Sequence, residues 1–154
     1  MSKRLRVLAA VAVLASAAIA TQAPTASAWD CTPGYWKNHT SVWPGMVTAK
    51  SGATLNLSPS TRVGDVFPGA KVTADWTLLQ ALQGNGGPGT DGAEIILVRA
   101  ATARLLNAGF DHEKAALDRI PADTSAAITS GDRPTMIALG KRYDILNNGV
   151  CAAS

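Results

Sequence analysis

Two cysteines, Cys31 and Cys151, stand at opposite ends of the stretch of this chain that can fold, so joining them would close nearly all of it into one ring. Whether they are joined depends on compartment, and the N-terminus bears on that. Lys3, Arg4 and Arg6 precede an almost unbroken apolar run from Val7 to Ala20, and Ala26-Ser27-Ala28 supplies small residues where a signal peptidase reads them. The expected cut falls before Trp29 and removes residues 1–28. The apolar run spans about 14 residues, short of the roughly 20 that a spanning helix needs. No later run approaches that length, so no membrane partner is expected once the signal is gone. In an exported chain an even cysteine count favours a disulfide. Two separate thiols, or an intermolecular bridge, are the alternatives. On the chain-entropy model a loop of this length gains roughly 4–5 kcal/mol from closure, less any strain.

Removal of the signal also changes the charge. The full chain has 14 Lys+Arg and 11 Asp+Glu; three of the basic residues leave with residues 1–28, so the remainder carries 11 of each. Nucleic acid or an anionic surface would need a basic excess or patch, and none follows Arg6. The remaining 126 residues, 154 less 28, suit one domain around one core.

The pattern along residues 29–154 is helical, and no convincing strand is read. Thr32-Pro33 is a helix start, a hydroxyl followed by a proline at the first helical position, and Pro44 ends what begins there, giving a short helix over 33–43. Residues 44–72 carry Pro44, Gly45, Gly52, Pro59, Gly64, Pro68 and Gly69 and read as an irregular layer with one helical turn near 61–67. Thr73 is placed as the cap of a helix over 73–83. Asp91 with Glu94 reads as a capping box, opening a helix to about 108 that is apolar nearly all round and therefore central; Gly109 is its expected left-handed stop. Asp111 caps a helix to about 120, Pro121 breaks or kinks it, and a further helix fits 122–130. The last helix, 133–147, carries Met136, Leu139, Tyr143 and Leu146 on one face. The expected fold is all-α: a small single-domain helical bundle with an irregular N-terminal layer, closed by one disulfide.

Chemistry-bearing residues concentrate in Cys31-Thr32-Pro33-Gly34-Tyr35-Trp36-Lys37-Asn38-His39, with Trp43 close behind. On a helix over 33–43, Trp36, His39 and Trp43 fall at i, i+3 and i+7 and share a face. An imidazole between two indoles, flanked by Tyr35, Lys37 and Asn38, could stack a sugar ring and bond its hydroxyls. Packing offers the other explanation: in a chain with eight aromatic residues the indoles could instead pin the segment to the core. No metal site is expected, because His39 and His112 are far apart and the cysteines are expected to pair with each other. Calcium at Asn85, Asp91 and Glu94 lacks regular donor spacing, and capping explains those acids. No cofactor fingerprint occurs. Arg99 and Arg104, on the most apolar helix, are expected to snorkel or to pair with carboxylates.

The run from Cys31 to His39, together with Leu78-Leu79-Gln80-Ala81-Leu82, the Gly-rich loop after it, the helix over Arg99–Asn107, Ser130-Gly131-Asp132-Arg133 and Asp144-Ile145-Leu146-Asn147-Asn148, resembles a family of secreted bacterial proteins. These carry a Gly-Tyr/Phe-Trp-Lys-Asn/Thr-His motif at the mature N-terminus. The resemblance implies secretion and the helical fold, and it brings no activity with it; Pro121 and its neighbours depart from it.

Three functions are consistent with these residues. The first is a secreted, non-enzymatic binding or envelope-associated module touching an extracellular glycan or cell-wall polymer through the aromatic motif. The second is a small secreted hydrolase using His39, and the third a purely structural secreted protein. N-terminal sequencing of exported protein is expected to begin at Trp29; an intact basic n-region would contradict the export reading.

Overall fold

A computed structural model describes residues 30–152; the signal-like segment and the cut before Trp29 lie outside the described residues. The described chain is mostly helical, at 59%, with six α-helices and one two-stranded sheet. Its elements run α1 (Pro33–Asn38), β1 (Gly45–Thr48), β2 (Thr54–Leu57), α2 (Val63–Val66), α3 (Leu78–Gln83), α4 (Gly89–Phe110), α5 (Lys114–Ser130) and α6 (Arg133–Leu146), with a single 3-10 turn at Thr40–Val42 after α1. Cys31 and Cys151 form an intramolecular disulfide.

The 22-residue α4 is the axis of the molecule. It is buried on nearly every side, as its all-round apolar sequence requires, and α1, α3, α5 and α6 all pack on it. The glycines along this packing differ in how closely they are approached. A methyl on Gly140 of α6 would lie 3.5 Å from the Leu97 Cα of α4, and a methyl on Gly109 would meet Leu57 Cδ1 at 2.9 Å and Pro44 Cγ at 3.0 Å. Gly109 is thus a packing glycine inside α4 rather than its left-handed stop. The helix continues to Phe110, and the left-handed residue is His112, at φ 57°.

Several local starts and stops follow the sequence directly. Thr32 accepts from Tyr35 N with Pro33 at the first helical position, Gly131 ends α5 at φ 68°, and Asp132 caps α6 through Thr135 N. Elsewhere a longer-range contact overrides the local signal. The helix placed over 73–83 begins only at Leu78, where Thr77 and Gln80 form a full capping box. Thr73 caps no helix; its backbone N and its hydroxyl both donate to Glu94 Oε1, at 2.9 and 2.8 Å. Glu94 itself is not a capping residue: it is buried within α4 and also accepts from Lys71 N and Thr73 N. That pins the 71–73 turn to the central helix.

Two further differences concern whole elements. Pro121 does not divide α5, which runs unbroken from Lys114 to Ser130. Proline removes one helical N–H, but Leu117, Ile120, Thr124, Ala127 and Ile128 hold one buried face against the core on both sides of it. In the layer read as irregular, β1 and β2 form an antiparallel hairpin with Val47 opposite Leu55 and Gly45 opposite Leu57. The hairpin tip is tied to α5: Lys50 N donates to Lys114 O, and Ser51 donates through its N and Oγ to Asp118.

The Gly-rich loop before α4 packs backbone on backbone, since a methyl on Gly92 would land on the Gly87 carbonyl, whereas one on Gly87 would meet nothing. Gly92→Ala is therefore expected to lower stability by about 1–3 kcal/mol. Gly87→Ala should stay within about 0.5 kcal/mol. Denaturant unfolding of both variants checks this, and equal effects would contradict the contact.

Candidate functional site

The motif does not form the continuous face that the i, i+3, i+7 spacing predicts. Helix α1 stops at Asn38, and His39 leaves helical geometry at φ −126° and ψ 51°. The break sends the two indoles inward and leaves the imidazole outside.

Trp36 is fully buried and lies 6.1 Å from the Phe110 ring, centroid to centroid. Its Nε1 donates to Asn107 Oδ1 at 2.9 Å. Trp43 is 9% exposed, and its Nε1 donates to Trp36 O at 3.0 Å. Both indole N–H groups are therefore spent inside the protein, and neither indole offers a stacking face to solvent. These two residues act as a clasp holding the N-terminal segment to α4.

The clasp centres on one amide. Asn107 Oδ1 accepts from Cys31 N (3.0 Å) as well as from Trp36, while Asn107 Nδ2 donates to Cys31 O (3.0 Å) and to Asn147 Oδ1 (3.0 Å). Two N–H donors meet the oxygen and two oxygens meet the nitrogen, which fixes how the amide is turned. Asn147 continues the chain by donating from Nδ2 to Ala100 O at 2.9 Å. Both asparagines are fully buried. The sequence reading gave neither amide a bonding role, although Asn107, inside an otherwise apolar helix, is itself a signal, because a buried amide must find partners. Arg104 adds a second tie: its guanidinium reaches Glu113 at 2.8 Å and Asp30 at 3.8 Å, the carboxylate pairing expected of it. Arg99 lies near Asp144, whose carboxyl is held above its ordinary range by burial, with Arg99 opposing the shift.

The outward half of the motif is different. Tyr35 is half-buried, and Lys37, Asn38 and His39 are exposed. The rings of Tyr35 and His39 stack with centroids 4.1 Å apart and planes 10° from parallel. His39 Nδ1 lies 2.8 Å from Tyr35 O. A carbonyl can only accept, so Nδ1 carries the proton and Nε2 of the neutral ring remains an acceptor. Asn38 is turned back onto its own helix, donating to Gly34 O. Beside the stack runs a groove of about 420 Å³ bordered by Asp30, Thr32, Asn148 and the disulfide at Cys151. The disulfide and the Asp30 N–Val150 O hydrogen bond join its two walls.

Among the described residues no group of three His, Cys, Asp or Glu is placed to hold a metal ion. Of the calcium donors weighed from sequence, Glu94 is committed to the 71–73 turn. No helix of the described residues is long and apolar enough to cross a membrane. Compared with known proteins, the chain matches no family model, no curated protein and no solved structure.

Each buried polar group left without a partner costs about 1–3 kcal/mol, and Asn107→Leu would strand several. It is expected to destabilise by at least about 3 kcal/mol in denaturant unfolding at unchanged m-value. A loss below about 1 kcal/mol would show that the amide is not what holds the segment.

Proposed function

We propose that the protein is a secreted, non-enzymatic binding module of the cell envelope. In this reading it contacts an extracellular polymer, a glycan, through the Tyr35–His39 edge of its N-terminal motif. The observation that carries the reading is the stacked Tyr35–His39 pair beside a groove whose two walls are joined by the disulfide. An aromatic face backed by a second ring suits the apolar face of a sugar. The acceptor Nε2 of His39 is of the kind that bonds sugar hydroxyls, and the Asp30 carboxylate, the Thr32 hydroxyl and the Asn148 amide oxygen keep lone pairs besides the bonds these residues make to Arg104, Tyr35 N and Asp144 O. The neutral balance of residues 29–154 favours an uncharged polymer over nucleic acid. Trp36 and Trp43 support the site from beneath and are not part of the contact surface.

With one stacking platform contributing about 1–3 kcal/mol, by analogy with base stacking, single-site binding is weak. Retention then depends on many copies engaging a repetitive polymer. A second reading rests on the same Nε2 lone pair, which would equally serve a general base in a hydrolase.

Pull-down on insoluble cell-wall polymers separates these. Tyr35→Ala and His39→Ala, both still folded by circular dichroism, are expected to lose at least about fivefold in retention relative to wild type. Equal retention of all three would reject the groove. Release of soluble fragments by wild type, abolished in His39→Ala, would establish the hydrolase instead.

A further inference from the structure

A second groove lies on the other side of the Pro44 turn, between β1 and the junction of α4 with α5, and encloses about 400 Å³. That is within the range of about 300–1,000 Å³ typical of small-molecule sites. Its floor is apolar, formed by Pro44, Phe110 and the buried Leu117, and its wall is the strand bearing Met46 and Val47. Met46, on that strand, is 65% exposed. At the mouth stand His112 and Lys114, both exposed.

The groove is built rather than incidental. One end is set by Pro44 against Gly109, where no side chain fits. The other end is set by the Lys50 N–Lys114 O bond and by Ser51 on Asp118. His112 is the only non-glycine residue with positive φ among the described residues. This is the ordinary left-handed close of α4, in which His112 N donates to Gly109 O. The backbone there is held by Lys114 N donating to His112 O and Glu113 N donating to Ala108 O, which places the imidazole and the ammonium at one mouth. Of the neighbouring carboxylates, Glu113 is paired with Arg104 and Asp118 keeps its charge while accepting from Ser51; neither these nor Asp111 lines the groove.

An apolar channel ending in a cation and an imidazole complements one ligand chemistry, a chain with an anionic head. We propose that this groove binds a free, linear aliphatic carboxylate, its tail against Pro44, Val47, Phe110 and Leu117 and its head at Lys114 and His112. The strand wall from Pro44 to Thr48 is about 13 Å long at about 3.3 Å per residue, which suits a medium-length chain. The two grooves are separate, and this assignment does not depend on glycan binding at Tyr35.

Titration of the intact, disulfide-bonded protein with sub-micellar decanoate, followed by methyl and amide NMR, tests it. Saturable shifts are expected at Val47, Phe110 and Leu117. Octanoate should bind at least about fivefold more weakly than decanoate, because each buried methylene is worth up to about fourfold. Lys114→Glu should weaken decanoate binding by about tenfold or more, whereas Gln83→Ala, a surface change on α3, should not alter it. Absence of saturable binding would overturn the proposal. Equal affinity for decanol would remove the role of the cationic mouth, and indifference to chain length would remove that of the apolar floor.

Discussion

The side-chain amide of Asn107 lies where three parts of the chain meet, and the rest of the molecule is arranged so that it can bond all of them. It binds both backbone groups of Cys31, the indole of Trp36 and the amide of Asn147. A buried amide with four well-placed partners specifies geometry more narrowly than apolar packing does, because a shift of any partner leaves a polar group unpaired in a low-dielectric interior. The neighbouring disulfide acts on a different state. It restricts the unfolded chain, while Asn107 selects the folded arrangement in which the two ends lie against α4.

That division of labour explains how one nine-residue motif presents two kinds of surface. Its inward half, Cys31, Trp36 and then Trp43, belongs to the core. Its outward half, Tyr35 and His39, rides on that support and forms one side of a groove whose opposite wall, Asn148 to Cys151, comes from the far end of the chain. The groove exists only while the termini are held together, so the clasp is a structural precondition for any binding there. The second groove depends on the same economy of small residues, since Gly109 admits Pro44 and the hairpin follows from that approach.

What was legible in the sequence was local. Thr32-Pro33 marks a helix start, and Gly131-Asp132 falls between the helices expected over 122–130 and 133–147; the structure places a helix start and a helix–helix connection there. The cysteines paired as expected. The readings that changed are those where a distant partner competes with a neighbour. Thr73 and Glu94 each look like caps, yet they bond each other across 21 residues. The hairpin strands are four residues long and lie among glycines and prolines, too short for period-two alternation to stand out, and their tip is fixed by α5. The shared face of Trp36, His39 and Trp43 assumed a helix to residue 43, whereas α1 ends at Asn38. Within the candidate site, sequence supplied Tyr35 and His39, with Asp30 and Thr32 beside them in the same segment, but Asn148 joins them only through the closure of the chain.

Hydrogen exchange at the Trp36 indole tests the central claim most directly. With its N–H on Asn107 and no local route to solvent, Trp36 Nε1–H should exchange only through global unfolding. Its opening free energy, measured by NMR on the oxidised protein, should then match the unfolding free energy from denaturant. Exchange at the rate of a solvent-exposed indole, under conditions where the fold and the disulfide persist, would show that the N-terminal segment detaches on its own and that Asn107 does not hold it.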